Sequence, residues 1–180
     1  MNSQIRQKYM EEVILYSKLI PSPVGNLIGI GSDKELYFLE FLIDKAKEDV
    51  FSRINSKYGY NIKYESNSIL EDLEKELMEY FSGKRKTFTI PLKMIGSSFD
   101  LKVWRGLLEI PYGNLVSYKD IARNIGNEKA FRAVGNANNR NNIPILIPCH
   151  RVVLNNGGLG GYALGLDKKK LLIELEKNNK

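Results

Sequence analysis

The segment Ser117-Tyr118-Lys119-Asp120-Ile121-Ala122-Arg123-Asn124-Ile125-Gly126-Asn127, continuing through Glu128–Asn138, reads as two short helices joined by a tight turn. Ser117 followed by Asp120 is a capping-box-like start, with Asp where Glu or Gln is preferred. Ile121, Ala122 and Ile125 give that helix a core face, and Gly126 ends it. Asn127 is placed to cap a second helix, Glu128–Asn138, with Ala130, Ala133, Val134 and Ala137 turned inward. Two helices of this length around a Gly-Asn turn have the size and punctuation of a helix-turn-helix, although ordinary bundles also contain such pairs.

Outward from this pair the second half stays helical. Phe99, Val103, Trp104, Leu107 and Leu108 form one apolar face that stops before Pro111-Tyr112-Gly113, and Asp167–Lys177 is a last amphipathic helix through Leu171, Leu172 and Leu175. The first half has a different period. Val13–Tyr16, Leu27–Ile30 and Leu36–Leu42 read as short strands around turn residues, an antiparallel meander. From Ser68 the spacing becomes helical through Leu70, Leu73, Leu77 and Tyr80-Phe81, and Gly83 closes the segment. The class is therefore α+β. The change of pattern near residues 84–97 divides the chain into a unit of residues 1–87, a small antiparallel sheet with helices, and a mostly helical unit of residues 88–180.

The 180 residues are 43% hydrophobic and 27% charged, which is enough apolar material for a real core. No run approaches the roughly 18 apolar residues of a membrane span, and the Met1–Lys18 start has no leader-like apolar stretch. One cysteine excludes an internal disulfide, and one cysteine with one histidine cannot build a four-ligand structural zinc site. The expectation is a soluble, intracellular, metal-independent protein. The net charge of +6 lies wholly in the second half: residues 1–99 balance at fourteen basic and fourteen acidic, and residues 100–180 carry thirteen against seven. A basic half suits a polyanion such as DNA. Surface solvation is the other reading, and Lys168–Lys170 with Lys177 and Lys180 fit it.

The single cysteine and the single histidine are neighbours in Ile147-Pro148-Cys149-His150-Arg151-Val152-Val153. A thiolate attacks and a thiol does not, so a nearby imidazole and the positive charge of Arg151 would both favour reaction at Cys149. The apolar run Ile143–Ile147 would bury the site. An inert buried cysteine beside a satisfied core histidine is the other reading of the same residues.

The stretch Pro144–Val153 resembles the active-site signature of the O(6)-alkylguanine-DNA alkyltransferases. The likeness extends through Pro111-Tyr112-Gly113, Val116-Ser117-Tyr118, Arg132–Ala137, Asn141, Gly161-Tyr162-Ala163 and the helix to Glu176, covering roughly residues 99–177. It implies a ribonuclease-H-like plan for the first unit and no cofactor. It implies that Cys149 accepts an alkyl group from O(6)-alkylguanine, and more weakly from O(4)-methylthymine, in duplex DNA, once per molecule. By the same resemblance His150 takes the thiol proton through a water, Glu176 orients His150, and Asn141 ties the helix-turn-helix to the active-site turn. Arg132 fills the stack vacated by a flipped nucleotide and Tyr118 crowds its phosphate. Ser117, Phe131, Ala133 and Gly135 belong to the DNA-facing surface. The carbonyls of Cys149 and Val152 receive the guanine amine, and Tyr162 and Ala163 cover the pocket. Three positions depart from the pattern: Phe131 and Leu164 where smaller residues are common, and Ala163 where some members carry serine. Leu164 is expected to narrow the pocket against bulky alkyl groups.

The resemblance further implies a monomer, in the cytoplasm on the nucleoid of a prokaryote or in a eukaryotic nucleus. Three alternatives use the same features differently. A non-catalytic alkyl-DNA sensor of this fold lacks the cysteine, a helix-turn-helix regulator with a redox cysteine dimerises on one operator, and a cysteine hydrolase turns over repeatedly.

Overall fold

A computed structural model describes residues 13–42 and 46–180 of the chain, so residues 1–12 of the start read for a leader lie outside it. Strands β1 (Ile14–Ile20), β2 (Leu27–Gly31) and β3 (Leu36–Phe41) form the expected meander, with β2 in the middle and antiparallel to both neighbours. Helix α1 (Lys47–Tyr58) and strand β4 (Asn61–Lys63) follow, neither of them assigned from sequence; β4 adds to the free edge of β1 in parallel, giving the order β3-β2-β1-β4.

Every residue of β2 is buried, because both faces of the sheet are covered. On one face Leu15, Ile28, Ile30 and Phe38 pack against Val50 and Ile54 of α1. On the other lies α2 (Ser68–Phe81), whose N-cap Asn67 accepts the Leu70 amide and whose Leu70, Leu73, Leu77 and Tyr80 point inward. Gly29 permits this contact: a Cβ there would sit 2.6 Å from a Leu73 methyl. The apolar cluster on the α2 side continues without interruption into the second domain through Val103, Trp104 and Leu107.

The connecting stretch runs along β3, with the Leu36 amide donating to the Pro91 carbonyl and the Lys93 amide to the Leu36 carbonyl, both at 2.8 Å. Helix α3 (Ser98–Leu108) opens with a capping box between Ser97 and Asp100. Its face is Val103, Trp104 and Leu107; Leu108, read as part of that face, is exposed, because it falls on the side of the helix that the turn before Pro111 leaves in solvent. Asp100 also receives two donors from Arg140, and the Trp104 indole donates to the Ala137 carbonyl at 2.9 Å. These bonds fix α3 against the end of the helix pair.

That pair is α4 (Tyr118–Asn124), capped by Ser117 and Asp120 as its sequence predicts, and α5 (Phe131–Asn139). Between them Gly126 adopts a left-handed φ of 74°. Asn127 makes no side-chain cap; its carbonyl instead starts a short 3-10 turn, Glu128–Ala130, and α5 begins three residues later than expected. Within α5 Val134 and Ala137 point inward, whereas Ala133 is exposed. Short parallel strands β5 (Val116–Ser117) and β6 (Val152–Val153) tie the helix pair to the segment after the cysteine. The chain closes with α6 (Leu166–Asn178), whose buried residues are Lys169, Leu172 and Glu176; Leu171, read as core, is exposed.

Candidate active site and nucleic-acid interface

Cys149 opens a single 3-10 turn, Cys149–Arg151, that follows the wholly buried run Ile143–Ile147. Inside that run Ile145 holds φ at 74°, a strained setting for a β-branched residue that tertiary packing must impose. Asn141 pins the turn from outside. Its amide donates to the Ile147 carbonyl at 2.9 Å and to the Cys149 sulfur at 3.2 Å, and its oxygen accepts the Ile143 amide at 3.0 Å. The hydrogen bond predicted to tie the helix pair to the cysteine turn is thus present, and it reaches the thiol itself.

His150 is fully buried beside it. Its Nε2 stands 2.7 Å from Glu176 Oε1, so the hydrogen bond assigns the proton to Nε2 and leaves Nδ1 as a buried acceptor without a partner. Burial lowers the pKa of His150 further than Glu176 raises it. The imidazole is therefore neutral at neutral pH.

Glu176 receives five donors: His150, the Arg151 Nε at 2.9 Å and Nη2 at 3.0 Å, the Gly113 amide at 2.9 Å, and the Tyr80 hydroxyl at 2.7 Å. Burial pushes its carboxyl upward, but the hydrogen bonds from His150 and Arg151 and the Arg151 charge outweigh burial and hold it at about 2. Gly113 offers its amide from a left-handed φ of 71°, in the Pro-Tyr-Gly turn.

Arg151 is consumed by this carboxylate and by the Ile110 carbonyl at 2.6 Å, so it is not the cation beside the sulfur that the sequence suggests. Lys169 is. It is fully buried, donates to the carbonyls of Val152 at 2.6 Å and Leu159 at 2.5 Å, and its charge acts on Cys149. Burial holds its own ammonium down to about 8. Reading Lys168–Lys170 as solvated is therefore corrected at the middle residue, where the helix turns inward. Burial raises the Cys149 thiol, while the Asn141 hydrogen bond, then Lys169, oppose it.

Two cavities bear on the function, one at the turn and one on the helix pair. One, of about 300 Å³, reaches Cys149 and is walled by residues 138–142, Pro144 and Tyr162-Ala163-Leu164 on one side and by Leu39, Glu40, Arg53 and Lys57 on the other. The other, of about 400 Å³, lies on the outer face of the helix pair between Tyr118, Phe131, Arg132, Gly135 and Gly161. Here the Tyr118 hydroxyl donates to the Gly161 carbonyl at 3.3 Å, and the Arg132 guanidinium lies 5.7 Å from the Phe131 ring centre. Phe131 is 37% exposed and does not turn inward.

Cys149, His150, Glu176 and Asn141 thus meet in one cluster, and Tyr118, Arg132, Phe131 and Gly135 share one outer surface. Tyr162 and Ala163 border the cysteine cavity; the Tyr162 hydroxyl is buried beside the Cys149 sulfur, and burial and the sulfur together raise its pKa. Ala133 is exposed but borders neither cavity. Ser117 is buried, and its amide and hydroxyl are both engaged by Asp120, so its side chain serves the cap and not the surface. Val152 is buried; its carbonyl already accepts Lys169 and keeps one lone pair. Among the described residues no group of three metal-type side chains comes together, and no helix is long and apolar enough to cross a membrane.

Comparison with known proteins decides the family. Residues 15–94 match the ribonuclease-like domain of 6-O-methylguanine DNA methyltransferase, and residues 98–178 match its DNA-binding domain. The chain belongs to the 6-O-methylguanine DNA methyltransferase family. It is 43% identical over 165 residues to the methylated-DNA–protein-cysteine methyltransferase of Methanosarcina barkeri, covering 92% of this chain and 99% of that one. It is 46% identical to the constitutive enzyme of Bacillus subtilis, covering 90% and 95%. The fold resembles crystal structures of the Mycobacterium tuberculosis O6-methylguanine methyltransferase with a TM-score of 0.79 at 35% identity, covering 92% and 94%. A structure of that organism's protein in complex with DNA superposes with a TM-score of 0.78.

Lys169, Tyr80 and Gly113 escaped sequence reasoning. Lys169 sits in a lysine run that looks solvated, and only its i, i+3, i+7 spacing with Leu172 and Glu176 marks it as facing inward. Tyr80 ends the apolar stripe of α2, where a phenol in place of a leucine signals a buried partner.

Proposed function

We propose that this chain is a DNA-repair protein that takes the alkyl group of O(6)-alkylguanine, and more weakly of O(4)-methylthymine, from duplex DNA onto Cys149. The observation that carries this reading is the buried thiol held by Asn141 beside a neutral imidazole whose far nitrogen is tied to Glu176. Burial keeps the resting group a thiol, so reaction requires a base. The unpartnered His150 Nδ1 supplies one through a single bridging water, and Glu176 stabilises the imidazolium that forms. The sulfur then attacks the alkyl carbon in line with the bond to O6. The S–C bond forms, the C–O6 bond breaks, and its electron pair stays on the guanine, which is restored on protonation.

A buried sulfur cannot reach a base within the duplex stack, so the nucleotide must leave it. The outer surface of the helix pair is suited to that step. Arg132 projects from the start of α5 to fill the vacated stack, Tyr118 crowds the phosphate, and Phe131 faces the minor groove with Gly135. The Cys149 and Val152 carbonyls distinguish guanine by its amine. The thioether is stable and the chain holds no second cysteine to resolve it, so each monomer acts once.

The test is stoichiometry. With a fivefold excess of duplex carrying one O(6)-methylguanine, guanine restoration should stop at one equivalent per chain. Restoration continuing through the excess would overturn the single-acceptor reading, and no restoration with tight lesion binding would make the protein a sensor.

A further inference from the structure

In an in-line displacement the sulfur, the attacked carbon and O6 lie on one axis, so the remainder of an alkyl group projects sideways from it. What stands beside Cys149 therefore selects the alkyl group. That space is the cavity of about 300 Å³, and one end of its wall, Leu39, Glu40, Arg53 and Lys57, comes from the first domain. None of Tyr118, Phe131, Arg132 and Gly135 borders it; among the described residues it shares only Asn139 with the outer cavity. The end formed by the first domain is thus separate from the surface assigned to the DNA backbone.

Its chemistry is polar and cationic. Arg53, Lys57 and Arg140 line it against one carboxylate, Glu40. Arg140 is committed to Asp100 through two bonds. Arg53 gives only Nη2 to Glu40, at 2.7 Å, which leaves further N–H donors on its fork. The Lys57 ammonium rests 4.9 Å above the Tyr58 ring and has no carboxylate partner among the described ion pairs. In the wall shared with Cys149, Asn138 is nine-tenths buried and neither its amide nitrogen nor its oxygen has a hydrogen-bond partner. An unpaired buried amide is costly unless a ligand completes it.

We propose that this cavity selects O(6)-alkyl groups that end in a carboxylate, of which carboxymethyl is the smallest. The Asn138 amide donates to the carboxylate, Arg53 and Lys57 supply the opposing charge, and Leu39 and Leu164 pack on the methylene. The inference rests on the alkyl-transfer reading. It assigns the first domain a part in substrate choice, through α1.

The test compares single-turnover transfer rates from three duplexes, carrying O(6)-methylguanine, O(6)-carboxymethylguanine and O(6)-isobutylguanine. Isobutyl has the shape of carboxymethyl without its charge. With each rate divided by that of the same duplex lesion with a free small thiol, which removes the intrinsic difference in reactivity at the two carbons, carboxymethyl should be favoured about tenfold over isobutyl, the effect of one charge-assisted hydrogen bond. The double substitution Arg53→Gln with Lys57→Gln should lower the carboxymethyl-to-methyl ratio about tenfold, and Asn138→Leu should favour isobutyl. Equal normalised rates for isobutyl and carboxymethyl in the unaltered protein would overturn the proposal. So would equal slowing of methyl and carboxymethyl in the double variant, which would make these cations a DNA contact. Absence of methyl transfer in the unaltered protein would instead remove the reading on which the proposal rests.

Discussion

The two domains share one continuous apolar core, but they bury different things. In the first, the buried positions of β2 and β3 are aliphatic, aromatic or glycine, and α1 and α2 cover them from both sides. In the second, Asp100, His150, Arg151, Lys169 and Glu176 are all buried, and each has a hydrogen-bond partner. Burial of apolar area stabilises both, but among the described residues the second domain desolvates five ionisable groups against one carboxylate, Glu76 of α2, in the first, and four of the five surround the cysteine. That expense is local to the chemistry: the carboxylate of Glu176 organises His150 and Arg151, and Lys169 sets the field at the thiol. The division is not complete, because the Tyr80 hydroxyl crosses from α2 to Glu176.

The sharpest way to break this contrast is Glu176→Ala. It strands His150 and Arg151 in the interior, so unfolding by urea should show a loss of about 3–5 kcal/mol. Methyl transfer per folded molecule should fall by more than about a hundredfold, because the imidazole loses its orienting group. The pH dependence follows from the carboxyl held at about 2 in the fold against an ordinary 4.5. Its stabilisation is complete above the ordinary value and is lost as pH falls from about 4.5 towards 2. That acid limb should flatten in the variant.

Leu77→Ala in α2 should cost a comparable ~2–5 kcal/mol by leaving a cavity, but transfer per folded molecule should be retained. Loss of transfer in step with stability would erase the distinction between the domains.

Lys169→Met keeps the length of the side chain and removes its charge. The thiol should then titrate higher, so the rate of its alkylation by iodoacetamide plotted against pH should move to higher pH, with transfer at neutral pH slowed by about tenfold. An unmoved profile would leave Lys169 as a clamp on the Leu159–Gly161 loop only.

Tyr80→Phe is the mildest test. Deleting one hydroxyl should cost about 1 kcal/mol and slow transfer only several-fold. A larger effect on rate than on stability would show that the first domain positions the carboxylate.

The legible parts of the sequence were those where one physical signal dominates. The three long strands and α2 follow from periodicity, and α4 from its Ser117–Asp120 cap. Helix α1 did not stand out because Ala46 supplies no side-chain cap and only Val50 and Ile54 are fully buried. Strand β4 is three residues long, too short to alternate. In α6 the leucines suggest a face that includes Leu171, but the buried face is set by Lys169, which donates to backbone carbonyls, and by Glu176, which accepts from His150 and Arg151, and periodicity in apolar residues is blind to it. At the site, Cys149, His150 and Asn141 were readable through a family signature. The exchange of roles between Arg151 and Lys169 was not, since which cation reaches the sulfur depends on how α6 packs over the 3-10 turn.

Cys149, the one thiol among these buried charges, is the acceptor in the proposed reaction. Intact mass of the protein after incubation with an equimolar duplex carrying one O(6)-methylguanine tests it most directly. The expected result is a gain of one methylene, about 14 Da, confined to the peptide containing Cys149 and stopping at one equivalent. An unchanged mass, or a methyl group on any other residue, would contradict it.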